Sequence, residues 1–451
     1  MTLLTADTIR SASTMLRGLV NDTGDRAVAR RGAIFAFAIR VASAAIAYLA
    51  QVMLARWMGA YEYGVFAYVW VWVILLGTLA ALGLNTSVLR FIPEYRSRRQ
   101  HDHVRGFLLG SRVFAASFST VVALTGAGVL FITDSHWLTS TYVVPIYLAL
   151  ICLPIFTLTD AQEGTARAHS WIDLALLPPY IVRPLLLLVF LGLAVWLGME
   201  ATAKTAVLAA IAATWVAGVG QTLLLNRRLA ARIEKGPRAY EFALWFKVSI
   251  PIFLVEGFYM LLANTDILVM SIYRPPGDIA MYYAAVKTTS LISFVYYSVT
   301  AAFAHRFSEY NASGDREGLE QFLRDAVSWT FWPSLAAAAA ILSIGWPLLW
   351  LFGPEFTAAY PIMFVLVIGL LARAAVGPVD YMLSMLGQQN ACAMVLASAA
   401  VVNLALNFLM IPTYGLMGAA VATSISTIYA TIMLYNVAKR RLGLRSFFWK
   451  R

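Results

Sequence analysis

Apolar residues in this chain fall in long unbroken blocks, separated by short polar connections rich in arginine. About 20 consecutive apolar residues carry a helix across a bilayer core. Twelve blocks reach that length: 32–54, 64–89, 106–132, 142–160, 173–199 and 204–225, then 248–273, 279–303, 326–352, 359–386, 391–411 and 416–438. The predicted fold class is therefore all-α, a polytopic membrane protein of about twelve transmembrane helices. Residues 1–31 lack the apolar core and small-residue cleavage site of a secretory signal. Ile9, Leu16 and Leu19 recur there at helical spacing among Arg10 and Arg17, which fits either an interfacial helix or an unstructured tail.

The connections set the orientation. Counting alternate sides, 26 Lys and Arg residues fall on the side of the N-terminus. The other side has three, Arg56, Lys204 and Arg274. Basic residues stay in the cytoplasm, so both termini are expected inside a bacterial inner membrane. The formal charge of +11 thus marks one membrane face and does not imply a nucleic-acid partner. Composition agrees: 61% hydrophobic and 13% charged, where soluble domains have roughly a quarter charged. Cys152 and Cys392 lie in apolar runs and the five histidines are scattered, which leaves no disulfide framework or histidine metal centre.

The two halves repeat. Gly59-Ala-Tyr-Glu62 between spans 1 and 2 corresponds to Pro275-Pro-Gly-Asp278 between spans 7 and 8, at an offset of 216 residues. The same offset carries Arg90-Phe91 onto Arg306-Phe307. Six spans per half make this a parallel repeat about an axis along the membrane normal, which places a binding site between the halves. The expected organisation is a tail (1–31), an N-lobe (32–230), a linker (231–247), a C-lobe (248–438) and a basic tail (439–451).

Several charges are buried in the apolar blocks: Arg40, Arg183, Lys287 and Arg373, with Glu256, Asp266 and Asp380. A cation at the bilayer centre costs about 2.5–3.5 kcal/mol on the insertion scale, so residues kept there face a partner or a wet cavity. The four cations form a candidate cationic cavity for an anionic cargo, Arg offering bidentate geometry to phosphate. Each would equally serve by pairing with a buried acid. Pro178, Pro179 and Pro184 bracket Arg183, and Gly377-Pro378 follow Arg373, two places where a broken helix would line a cavity. Arg112, near the start of span 3, is expected to reach the cytoplasmic headgroups. The repeat maps Arg40 onto Glu256, which suggests a gating pair across the cleft, with Asp266 and Asp380 as further gating or coupling acids. Asn264, Asp266, Asn403 and Asn407 could supply oxygen ligands to a coupling Na+, or an acid could carry H+; asparagines in membrane helices equally serve as hydrogen-bonding glue. No other cofactor is expected.

The segment Met58-Gly-Ala-Tyr-Glu-Tyr-Gly-Val-Phe-Ala67, followed by Leu82-Gly-Leu-Asn-Thr-Ser-Val-Leu-Arg-Phe91, resembles the opening of polysaccharide-export flippases. Leu351-Phe-Gly-Pro-Glu-Phe356 and Ile411-Pro-Thr-Tyr-Gly-Leu-Met-Gly-Ala-Ala420 are similar to that family's closing half. These patterns resemble the multidrug/oligosaccharidyl-lipid/polysaccharide (MOP) exporter superfamily, most closely its Wzx-type members. The resemblance implies translocation of a polyprenyl-pyrophosphate-linked oligosaccharide by alternating access, in O-antigen, lipopolysaccharide or exopolysaccharide biosynthesis. It also implies other polysaccharide-assembly proteins as possible partners. The alternative is an ion-coupled small-molecule or multidrug exporter of the same superfamily. An enzyme is not expected, because no metal, ATP or acid/base motif and no sizeable outer loop is present. The loop after span 2, Ile92-Pro-Glu-Tyr-Arg-Ser-Arg-Arg-Gln100, lacks the Gly-x-x-x-Asp-Arg of major-facilitator transporters.

Overall fold

The computed structural model of the chain describes residues 25–133, 140–313 and 315–444. The expected interfacial segment around residues 9–19 and the last basic residues, from 445 onward, lie outside the described residues. Within them every regular element is helical. The first half holds α1 (Asp25–Ala80), α2 (Leu84–Ser97), α3 (His101–Ile132), α4 (Ser140–Ala168), α5 (Ile172–Leu177), α6 (Arg183–Trp196) and α7 (Ala203–Arg232). The second holds α8 (Phe242–Tyr273), α9 (Pro276–Ser290), α10 (Ser293–Ser313), α11 (Arg316–Ser343), α12 (Gly345–Phe352), α13 (Tyr360–Ala374), α14 (Val379–Met385) and α15 (Gln389–Val437).

Nine stretches of the described chain are long and apolar enough to cross a membrane. Two of them double back. In α1 the chain turns at Gly59, whose φ of 76° suits a residue without a Cβ. The Tyr63 hydroxyl then donates to Gln51 Oε1 at 2.9 Å. Twelve residues of straight helix would hold those groups about 18 Å apart, so spans 1 and 2 form a hairpin. In α15 the turn is at Gly415, with φ of 56°. Gly418 packs so closely that a Cβ there would collide with the Met410 carbonyl, which makes spans 11 and 12 the second hairpin.

Several crossings are interrupted. The proline-bracketed segment of span 5 becomes a π-helical turn, Pro178–Val182, and span 10 breaks at Gly377, with φ of 67°. Both lie where the prolines foretold them. Three further breaks fall inside runs that read as continuous, one of them at Ile344 between α11 and α12. Another is at Leu82 and Gly83, with φ of 46° and 73°, and the third separates α9 from α10. An apolar run reports burial in lipid and is blind to a backbone turn made among apolar residues.

The cores reveal the arrangement of the lobes. The largest apolar cluster joins Leu54, Tyr63 and Phe66 of the first half to Tyr282, Phe352 and Phe356 of the second. It lies at the end of the bundle that carries Arg56 and Arg274, the end sparse in basic residues. Toward the basic end two separate clusters replace it. One contains Phe91, Phe107 and Trp245, the other Phe307, Leu323 and Met382. The lobes are thus fused at one end, while at the other α8, through Trp245, packs into the N-lobe cluster and the rest of the C-lobe keeps a separate core. The repeat is visible at the fused end. Glu62 accepts the Ala203 N–H at 2.7 Å and so caps the start of α7. Its counterpart Asp278 instead holds Arg274 at 2.8 Å, and that guanidinium packs on Gly415, before span 12.

Candidate functional site

The C-lobe encloses a cavity of about 180 Å³, lined by Tyr259, Asp266, Arg373, Asp380, Thr423 and Thr427 among others. The break at Gly377 builds its charged wall. Arg373 occupies the last turn of α13 and Asp380 the first turn of α14. A cation at a helix C-terminus and an anion at an N-terminus each complement the backbone dipoles. The two meet through Nη2 and Oδ2 at 3.0 Å. Arg373 Nη1 also donates to the Tyr259 hydroxyl at 2.6 Å, and the guanidinium stacks 4.2 Å from the Tyr296 ring centroid. The Tyr296 hydroxyl donates to Asp380 Oδ1 at 2.5 Å. Arg373 is therefore a neutralised cation inside an aromatic cage.

Asp266 opens onto the same cavity. It accepts from the Tyr282 hydroxyl at 2.5 Å, the Thr423 hydroxyl at 3.2 Å and the Ile267 N–H at 2.8 Å. The other three residues of the expected cation site do not join it. Asn264 Nδ2 donates to the Met260 carbonyl in its own helix. Asn407 Nδ2 donates to Asn403 Oδ1 at 2.9 Å, one turn away, and neither asparagine lines the cavity. Among the described residues no group of three or more His, Cys, Asp or Glu side chains could hold a metal.

The N-lobe is organised around the break between α1 and α2. Gly164 lets α4 press against the Asn85 carbonyl, a contact that any Cβ would block. The approach aims Asn85 Nδ2 at Asp160 Oδ2, 2.8 Å away. One residue on, the Thr86 hydroxyl donates to Glu256 Oε1 of α8 at 2.7 Å. Glu163, one turn after Asp160, accepts from the Tyr180 hydroxyl at 3.1 Å and from Arg167 Nη1 at 3.4 Å. Arg183 sits where the π-helical turn meets α6, its guanidinium 5.2 Å from the Phe156 ring and 5.7 Å from Trp70. It forms no ion pair among the described residues.

Glu256 is held by Thr86 and not by Arg40, which is exposed and makes no ion pair among the described residues. The proposed gating pair is not formed, because α8 packs there on the α1–α2 junction. Lys287 places its ammonium 4.7 Å from the Tyr283 ring centroid. The hydropathy pattern does not single out Asp160 and Glu163, because the apolar block of span 4 ends at residue 160. The helix runs on to Ala168, two turns past its apolar block, and the i,i+4 spacing of Glu163 and Arg167 was the available signal.

A family model described as polysaccharide biosynthesis protein matches residues 29–310. The chain belongs to that family. A second family model, MatE, matches residues 251–409. Among curated relatives, a probable low-salt glycan biosynthesis flippase of Haloferax volcanii is 22% identical over 37% of this chain and 36% of its own length. An uncharacterised transporter of Bacillus subtilis is 24% identical over 47% of this chain and 48% of its own. The matches thus span about half or less of either relative. Among solved structures, an inward-facing multidrug-resistance MATE transporter of the MOP superfamily superimposes with a TM-score of 0.72 at 16% identity, covering 89% of this chain and 94% of its own. The lipid II flippase MurJ in an inward closed conformation gives 0.68 at 16% identity, covering 90% and 87%. A MOP superfamily transporter from Pyrococcus furiosus gives 0.66 at 13%, covering 91% and 94%. Identities this low establish the shared fold and leave the cargo open. Family and fold place the chain among multi-pass membrane proteins of the polysaccharide biosynthesis family.

Proposed function

We propose that this chain is an ion-coupled exporter that moves a polar or charged solute across the inner membrane by alternating access. The observation that carries the reading is the asymmetry of the cores: one shared cluster at the sparse end, and two separate clusters at the basic end, the first of which takes in Trp245 of α8. Such a molecule is closed on one side, while on the other the N-lobe together with α8 can part from the rest of the C-lobe. With basic residues cytoplasmic, the closed end faces outward. The interior is of mixed charge, since Arg373 is matched by Asp380 and acids stand near Arg183. That favours a small amphiphilic solute over a purely anionic one. Asp266, in its hydroxyl-lined cavity, is the residue to which we assign the coupling proton or sodium ion.

A second cargo reading, lipid-linked oligosaccharide, is favoured by the family match and by the glycan flippase relative. Arg183, which forms no ion pair among the described residues, would then engage the pyrophosphate. Proteoliposomes decide between the two. Protein-dependent appearance of a polyprenyl-pyrophosphate oligosaccharide on the opposite leaflet, absent for small amphiphiles, would establish the glycan reading. Ion-gradient-driven movement of small amphiphiles alone would establish the exporter. Movement of neither, with or without a gradient, would remove transport of both classes.

A further inference from the structure

At the basic end of the N-lobe, α3 and α7 each pack along α4. Between them Arg112 reaches over to Asn226, its Nη1 donating to Oδ1 at 2.6 Å. That bond occupies one nitrogen of the guanidinium. The other two, Nε and Nη2, are buried and have no partner among the described residues. They form the side-on edge of the fork, two parallel N–H groups at the spacing of two oxygens on one phosphate or carboxylate. A buried charged donor pair left unsatisfied is costly, which is the mark of a place made for an acceptor.

The surroundings select the acceptor. Arg96, Arg112 and Arg232 all lie within electrostatic reach of His169. Arg228 and Arg232 bracket the Trp171 ring, at 5.8 and 5.5 Å from its centroid. The His169 ring lies 4.7 Å from the same indole. Only Arg228 of this group has a carboxylate ion partner among the described residues, Asp173, through two bonds of 2.9 and 2.5 Å. The remaining field is positive. Leu109 and Val113, on either side of Arg112 in α3, are exposed, as are Leu223 and Leu224 of α7. Apolar exposure on both helices turns this flank toward lipid, near the level where span 3 begins, with the Arg112 edge covered beneath it.

We propose that the side-on edge of Arg112, Nε and Nη2, grips a phosphate group once the side chains covering it move aside. The position favours the phosphate of an anionic lipid headgroup over a dissolved ion. The site lies outside both charged clusters described above and does not depend on the identity of the cargo.

The test uses the full chain purified in a neutral detergent. Binding of phosphatidylglycerol, phosphatidylcholine and inorganic phosphate is followed by native mass spectrometry and by melting temperature. Phosphatidylglycerol is expected to remain bound and to raise the melting temperature more than phosphatidylcholine does. Arg112→Gln should weaken its binding by about tenfold or more, the loss of a charged bidentate contact. Arg112→Lys keeps the charge without the edge and should not restore it. Arg227→Gln, an equal charge change at an exposed neighbour, should leave it unchanged. Displacement of the lipid by millimolar inorganic phosphate would support the same site with a dissolved ligand. Equal loss in Arg112→Gln and Arg227→Gln, full restoration by lysine, or no preference for phosphatidylglycerol in the wild type would each overturn the proposal.

Discussion

The two lobes handle a deep arginine in opposite ways. In the C-lobe, Arg373 is matched by Asp380 across a helix break and enclosed by Tyr259 and Tyr296. In the N-lobe, Arg183 rests on the faces of Phe156 and Trp70, with acids nearby but none bonded to it. A paired charge has its electrostatic demand met within the fold, while an unpaired one keeps that demand for whatever enters. The contrast assigns structure to one arginine and availability to the other.

Substitution separates the two most sharply. Arg373→Ala leaves Asp380 buried without its ion partner, a loss that typically costs about 3–5 kcal/mol. The melting temperature in detergent should drop by several degrees, and an Arg373→Met, Asp380→Leu double variant should recover much of it. Arg183→Ala forfeits cation–π contacts worth about 0.5–2 kcal/mol, so its melting temperature should stay closer to wild type. Its transport, in the same liposomes, should fall well below wild type if the free cation meets cargo. Reversed outcomes, a fragile Arg183→Ala and a robust Arg373→Ala, would invert the comparison.

A third probe addresses the fused end. Arg56 donates to the Leu351 and Trp350 carbonyls at 2.6 and 2.7 Å and stacks on the Trp350 ring, tying the first hairpin to the second half. Arg56→Ala should shift the population toward molecules open at that end. Spin labels at the exposed Tyr61 and Tyr414 would report this as added long distances, and an unchanged distribution would show that the apolar cluster alone holds the end shut.

The smallest effect concerns His169, in the connection between α4 and α5. Burial, reinforced by Arg96, Arg232 and Arg112, pushes its imidazole down to about 4, against an ordinary value of 6.5. The folded chain therefore binds fewer protons there than the unfolded chain between those values. Stability contributed by neutral His169 is complete above pH 6.5 and declines as pH falls toward 4. His169→Gln should flatten that part of the curve of melting temperature against pH.

Much of the fold was readable because lipid imposes a simple rule on a spanning helix, and apolar length carries it. The breaks at Pro178–Val182 and Gly377 were readable because proline and glycine change the backbone locally. The break at Leu82–Gly83 was not, although it positions Asn85 and Thr86 against their acids. Asp160 and Glu163 were hidden for a related reason: helix α4 continues past its apolar block into a polar interior that hydropathy reads as loop. The repeat offset of 216 located equivalent positions such as Glu62 and Asp278, yet equivalence did not make Arg40 and Glu256 neighbours. Pseudo-symmetry relates environments, and contact requires nearness to the axis as well.

The fused end has a thermal consequence. Its contacts are largely aromatic and aliphatic, with Tyr63, Phe352 and Phe356 almost fully shielded. Wherever opening lets water reach those faces, it carries a positive heat-capacity change, like a small unfolding event. The balance between closed and open molecules then bends with temperature instead of following a straight van't Hoff line. Because apolar attraction weakens on cooling, cold loosens this clasp while leaving the Arg373–Asp380 pair largely untouched. The chain thus carries in its own core a temperature setting for how readily that end opens.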